Sequence, residues 1–326
     1  MVPEISLLVR LVDLVDLVPR PSPPPPRRGG QPVYSDRLFL KALVIMLVRG
    51  VPTVGGLLAI LGQPTPEMRA LRARLTEGGR FPARRTWERR LNALPATLPA
   101  RIGCLGGYLV AVIRPWAGGG CAAAIDSTVL RARGGVWHKA HREAGVVPHT
   151  SIDTEAGWTK SGWHGWVYGW KLHLATTVAA VWIPLAAELT PANAADNAAA
   201  PGLLERLPAE ARFVLGDAQY NDPALREQCA AADRCLVTTL RGRYPHTDDG
   251  VEVRRVFHEL RSRAIENFNG QFKGISDCLG PVPTRGLMRT RRFALGAVFV
   301  YQLTLLDRFR HGGDLRVGLK AFLKAA

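Results

Sequence analysis

The stretch AAAIDSTV (residues 122–129) decides how this chain is read, because there short apolar runs of strand length replace helical periodicity. It reads as a buried strand with Asp126 at its polar end. Beyond a loop with many Gly, His and Trp residues, WVYGWKLHLATTV (166–178) is expected as a second strand and VWIPLAAEL (181–189) as a third, the two forming a hairpin. Residues 195–207 read as a helix and ARFVLG (211–216) as a fourth strand. Asp222 and Pro223 make an N-cap and first-turn pair for a helix ending near residue 232, and RCLVTT (234–239) is a fifth strand. With a final helix the order is β-β-β-α-β-α-β-α, which predicts an α/β domain with a mixed five-stranded sheet and flanking helices. No internal repeat is visible.

That final helix is RSRAIENFNGQFKGISDCL (261–279). Ile265, Phe268, Phe272, Ile275 and Leu279 recur three, four, three and four residues apart, a stripe that must face a core. Glu266 and Lys273 lie seven positions apart, so they differ by about 20° around the axis and share a polar strip with Ser262 and Asn269. Such a helix serves as a rigid arm for a metal-binding carboxylate beside an anion-binding amine; a surface helix whose Glu and Lys meet only water has the same pattern. Three carboxylates thus take privileged positions: Asp126 on strand one, Asp217 just past strand four, and Glu266 on the last helix. If strands one and four are neighbours, the two aspartates sit side by side and repel unless they share a cation. Oxygen ligands of this kind select Mg²⁺ or Mn²⁺. Two such ions about 4 Å apart can activate a nucleophile on one side of a phosphodiester and stabilise the leaving oxygen on the other.

Upstream, residues 1–33 read as a helix followed by the Pro-rich basic linker PRPSPPPPRRGGQP (19–32). Residues 34–115 read as a set of helices: one opened by Ser35 and ended by Gly50, others near 53–61, 67–77 and 86–94, and an apolar one over 102–113. Arg80, Arg84, Arg85, Arg89 and Arg90 suit a helical DNA-binding domain, and a solvated basic bundle fits any single one of them as well. The 326 residues carry 43 Lys plus Arg against 27 Asp plus Glu, a formal charge of +16. That balance favours a polyanionic partner, nucleic acid ahead of a basic proteome or an anionic membrane. Five cysteines without a CxxC pair read as reduced thiols of a cytoplasmic protein. The apolar start MVPEISLLVRLVDLVDLVP (1–19) is interrupted by Glu4, Arg10, Asp13 and Asp16, so it lacks the charge order of a signal peptide. The longest apolar run, 293–306, is too short to span a bilayer and reads as a buried helix.

At the residues singled out above, the chain resembles the DDE transposases of bacterial insertion sequences, families four and five. The resemblance runs through IDST (125–128), YGWKLHLA (168–175), LTPANAADN (189–197), VLGDAQYND (214–222) and AIENFNGQFK (264–273), in the family's order across roughly residues 120–280. It implies a ribonuclease-H-like catalytic domain over 120–310 followed by a basic tail, 311–326. It also implies DNA strand cleavage and strand transfer, with Asp126, Asp217 and Glu266 binding two Mg²⁺ or Mn²⁺ ions and Lys273 contacting transposon-end DNA. The implied partner is double-stranded DNA, end and target, bound by a homodimer in the cytoplasm at the nucleoid, with no membrane. The family's usual tyrosine and arginine, seven and four positions before the glutamate, are here Glu259 and Ser262, with Arg261 and Arg263 beside them as candidate DNA contacts. The 49 positions between Asp217 and Glu266 leave no room for the large β-rich insertion of some members, which implies the compact form, closer to family five.

Two further readings stay open: a transposase-derived DNA-binding protein whose chemistry has lapsed, and a nuclease of the same fold that cuts without joining. Lys171, on the second strand, either holds DNA phosphate or points to solvent. The tryptophans at 158, 163, 166 and 170 either stack on exposed bases or anchor loops and core. His138 and His141 lack the Cys or acidic partners of a zinc site, Ser127 lacks a G-x-S-x-G elbow, and Asp153, Asp196 and Asp222 read as turn or cap residues.

Overall fold

Six strands form one mixed sheet in the computed structural model, which describes residues 6–21, 33–116, 121–162, 165–238, 259–276, 278–316 and 319–324. They are β1 (Ala122–Arg131), β2 (Gly157–Ser161), β3 (Gly165–Thr177), β4 (Pro184–Pro191), β5 (Phe213–Gly216) and β6 (Cys235–Thr238). The order is β2-β3-β1-β5-β6, with β4 also on β3. β1 runs antiparallel to β3 and parallel to β5, and β5 runs parallel to β6. This is the mixed, helix-flanked sheet of a ribonuclease-H-like domain.

The five expected strands are present, and β2 makes a sixth. It pairs with the first part of β3, from Gly157 opposite Gly169 to Ser161 opposite Gly165, while β4 takes the rest of the same edge. The sequence of β2, GWTKS, is too short and too polar to show period-two alternation, so only its pairing with β3 identifies it.

On the β4 side lie α6 (Leu98–Ile113) and the long α11 (Leu287–Arg310), which carries the apolar run 293–306 in the interior as expected. Gly106 lets α6 approach the sheet, since a Cβ there would stand 2.6 Å from the Pro184 carbonyl oxygen. Buried Gln302 donates to the carbonyls of Ile102 and Pro184, both at 2.8 Å, and so ties α11 to α6 and to β4. The helices α8 (Asp196–Leu204) and α9 (Pro223–Ala231) follow β4 and β5. Arg234 closes the end of α8 by donating to the carbonyls of Leu204 and Leu207, each at 2.9 Å.

Toward the amino terminus lie α1 (Leu7–Leu17), α2 (Asp36–Val48), α3 (Val54–Leu61), α4 (Pro66–Arg74) and α5 (Arg84–Ala93). Ser6, Ser35, Thr53 and Thr65 cap the first four by accepting backbone N–H bonds, which is why these helices begin where they do. α1 packs on α2, α4 and α11, and Arg10 grips the buried Asp307 of α11 through two hydrogen bonds of 3.2 and 3.1 Å. One apolar core therefore runs from α1 to the sheet. Among the described residues no single helix is long and apolar enough to cross a membrane. The short α7 (Lys139–Glu143), α10 (Asn267–Ile275) and α12 (Leu319–Lys324) complete the described elements. Most of the Pro-rich linker and the basic stretch 239–258 lie outside the described residues.

Candidate active site

The pairing of β1 with β5 sets Ala124 opposite Leu215, so Asp126 and Asp217 stand level, each two residues further on. Asp126 Oδ1 accepts the N–H of Ser127 at 2.8 Å, and Asp217 Oδ1 accepts the N–H of Gln219 at 2.8 Å, capping the single turn Ala218–Tyr220. Glu266 approaches from the turn that leads into α10, which Ile265, Phe268 and Phe272 hold down. Phe268 meets Tyr301 edge-on at 5.0 Å and stacks with Phe272 at 5.9 Å. The apolar stripe was expected to reach Leu279, but α10 ends at Ile275 and Leu279 is 73% exposed.

Arg261 joins two of the acids. Its Nη2 donates to Glu266 Oε1 at 2.9 Å, and its Nη1 lies 3.7 Å from Asp126 Oδ2. The bridge depends on a π turn over Ser262–Glu266. In an α-helix residues four apart stack, whereas in a π turn the hydrogen bonds run to the fifth residue and bring residues five apart together. One extra residue in the turn therefore puts Arg261 over Glu266, although position 262 is the one an α-helix would place there. No periodicity in the sequence announces that insertion.

The acids differ in exposure, Asp126 being 20% and Glu266 48% exposed. Burial pushes the Asp126 carboxyl up to about 7; Arg261 and the Ser127 N–H pull it down, while Asp217 and Asp196 push it up. Tyr220 is buried, and burial, then Asp126, Asp196 and Asp217, hold its hydroxyl well above the usual range. Neither that hydroxyl nor Arg261 Nε has a hydrogen-bond partner among the described residues. Residues 117–275 match the family described as Transposase DDE domain. The match supports a DDE transposase, and it takes in Asp126, Asp217, Glu266 and Lys273. No curated protein matches the chain.

DDE transposases work with divalent cations, and the donor set suits one. Three carboxylates are hard oxygen ligands, and a cation would favour the charged form of Asp126 that burial, and to a smaller extent Asp217 and Asp196, disfavours. Among the described residues no three His, Cys, Asp or Glu stand close enough to hold an ion, and Arg261 sits between Asp126 and Glu266. Thus the residues fit a cation in kind, and a guanidinium supplies the positive charge in the present arrangement.

The basic residues expected to contact DNA sort differently. Lys171 turns inward: its Nζ is 3.0 Å from Asp196 Oδ1 and 3.1 Å from the Ala194 carbonyl oxygen, so its charge is held by a carboxylate rather than left for phosphate. Asp196 opens α8 without capping it and is only 8% exposed. Fully buried His173 lies 3.6 Å from it and 2.8 Å from Thr190 Oγ1, its pKa lowered to about 4 by burial, with Asp196 raising and Lys171 lowering it. Lys171 and His173 are two apart on β3 and so share a face, a signal present in the sequence; which helix covers that face was not.

Lys273 is half-buried; burial lowers its pKa, Cys278 raises it and Arg131 lowers it. Arg263 is exposed and pairs with Glu259. Arg84, Arg85 and Arg89 stand exposed on α5, Arg84 beside Glu88 at 2.9 Å. Arg90 instead folds over the Phe39 ring, 4.7 Å from its centroid, and pairs with Asp36. Of the tryptophans, Trp170 is core, Trp158 is half-buried, Trp166 is exposed and Trp163 lies outside the described residues.

Proposed function

We propose that this chain is the transposase of an insertion sequence, cutting DNA strands at the element's ends and joining them to a target, with Asp126, Asp217 and Glu266 holding two Mg²⁺ or Mn²⁺ ions. The observation that supports the reading is the register of β1 and β5, which sets Asp126 level with Asp217 just past the end of β5, together with Arg261, which lies between Asp126 and Glu266. Bound there, the ions would lower the pKa of the attacking hydroxyl or water and offset charge on the leaving oxygen. Each step exchanges one P–O bond for another, so no covalent protein intermediate is needed. Cleavage by water leaves a 3′-hydroxyl, and that oxygen then displaces a 3′ oxygen of the target strand.

The protein's part is positioning and charge. The Gln219 N–H orients Asp217, the Ser127 N–H orients Asp126, and Arg261 keeps Glu266 turned toward Asp126. Arg84, Arg85 and Arg89, with Arg263 and Lys273, track phosphate, and the chain works as a cytoplasmic homodimer on double-stranded DNA. The 49 positions between Asp217 and Glu266 support a reading nearer insertion-sequence family five than four.

A lapsed DNA-binding derivative is the second reading, favoured by the guanidinium that stands between two of the acids. Incubating the full chain with the element's flanking DNA and Mg²⁺ separates these readings. Excision and joining by wild type, lost in Asp217→Asn with DNA binding kept, is the expected result. Cutting without joining supports a nuclease, and DNA binding without cleavage by either protein supports the derivative.

A further inference from the structure

The hairpin of β2 and β3 runs past the end of β1. Arg131, the last residue of β1, lies opposite Gly169, so residues 165–168 of β3 pair with β2 beyond the end of the β1 ladder. Trp158 stands opposite Tyr168 and Lys160 opposite Trp166, which places all four side chains on one face. The Trp158 and Tyr168 rings pack at 5.2 Å, and His138 adds a third ring 6.3 Å from Trp158. Further out on the same face Lys160 is exposed and Trp166 is 68% exposed.

This is not a loose hairpin. Trp158 Nε1 donates to the Trp137 carbonyl at 2.7 Å and the Tyr168 hydroxyl to the Asp153 carbonyl at 2.6 Å. Asp153 in turn accepts the Gly286 N–H at 2.8 Å, and Arg133 donates to the Pro283 carbonyl at 2.8 Å, so the base is pinned to the segment that leads into α11. A rigid base pre-pays the ordering of whatever the outer face binds. Charge decides what that is. Arg131, Arg133, Lys139, Arg142 and Lys160 are exposed between residues 131 and 162, and the exposed acids there, Glu143 and Glu155, face Lys139 and the Leu287 N–H. A large aromatic face beside a cation on a basic arm matches a nucleotide, with its flat base and anionic phosphate.

We propose that the outer face of this β2–β3 ladder, at Trp166 and Lys160, is a stacking platform for an unpaired nucleotide of bound DNA, with Trp166 against the base and Lys160 at its phosphate. The proposal rests on the DNA reading above and adds a site outside the carboxylate cluster. Trp166 is eight residues from Leu174, the partner of Asp126, so the platform shares a sheet face with Asp126 and lies about 26 Å from it at about 3.3 Å per residue. Its role is to grip a strand away from the reacting phosphate.

The test uses the full chain in EDTA with single-stranded and fully paired oligonucleotides carrying 2-aminopurine, whose fluorescence falls when its base stacks. Wild type should quench the single strand, Trp166→Ala should bind it about 5- to 150-fold more weakly without quenching, and Trp166→Phe should retain most of the effect. Duplex affinity should change less than about twofold in Trp166→Ala, and Lys160→Ala should lower the single-strand salt slope by about 0.7. Unchanged single-strand affinity in Trp166→Ala overturns the platform, as does an equal loss on duplex. Dissociation of a dimer by Trp166→Ala with single-strand affinity intact would assign this face to a contact between copies of the chain. No binding of either DNA by wild type would defeat the DNA reading itself and the platform with it. Because Trp166 is exposed, an unchanged melting curve for Trp166→Ala checks that the fold is intact.

Discussion

Replacing Asp126 by Asn should make the cation-free protein more stable, and by an amount that grows with pH. In the folded chain burial raises this carboxyl from 3.8 to about 7. The native state therefore binds more protons than the unfolded chain between those pH values, so stability falls as pH rises through the window and the loss is complete above about 7. A shift of about three units at about 1.4 kcal/mol each makes the charged carboxylate a burden of roughly 4 kcal/mol at pH 8. About 3 kcal/mol of that develops between pH 5 and pH 8, because the first unit is already lost by pH 5. Asparagine keeps the shape and never ionises. Urea denaturation in EDTA should thus show an advantage of Asp126→Asn over wild type that widens by about 3 kcal/mol from pH 5 to pH 8. Adding Mg²⁺ should narrow the gap at pH 8, since a cation favours the charged form. An advantage that stays flat with pH, or one that favours wild type at pH 8 in EDTA, would falsify the picture of a largely buried carboxylate beside other acids.

Asp196→Ala strands the Lys171 ammonium beside buried His173, and denaturant midpoints should report a loss of about 3–5 kcal/mol; little change would mean that the pair is solvated. Gly106→Ala pushes a methyl against the Pro184 carbonyl and should lower stability by about 1–3 kcal/mol in thermal melting, whereas an unchanged melting temperature would show that α6 can slide on β4. Changing Arg84, Arg85 or Arg89 to Ala should reduce the slope of log affinity for duplex DNA against log salt by about 0.9 each. Arg90→Ala should instead destabilise the fold, because its guanidinium covers Phe39 and pairs with Asp36; a salt-slope change without a stability change would reverse that assignment.

Much of this architecture is legible in the chain because its signals are local. Ser35, Thr53 and Thr65 mark helix starts through their own caps, and Asp222 with Pro223 opens α9 as read. The strands around Asp126 and before Asp217 announce themselves as short apolar runs, and the spacing of Ile265, Phe268 and Phe272 announces the helix that carries Glu266. What stayed hidden depends on contacts between distant segments. β2 exists because β3 is long enough to offer it an edge, and Lys171 points inward because α8 places Asp196 beneath it. The same physics separates Arg90 from Arg89: neighbours on one helix, one is turned onto Phe39 and the other to water. By itself the sequence determined the order of the elements apart from β2, α7 and α12, the basic charge and three candidate acids, all properties of residue type and spacing. Only the tertiary structure decided that a π turn sets Arg261 between Glu266 and Asp126, because a guanidinium's partners are chosen by which chain-distant carboxylates packing brings within its reach.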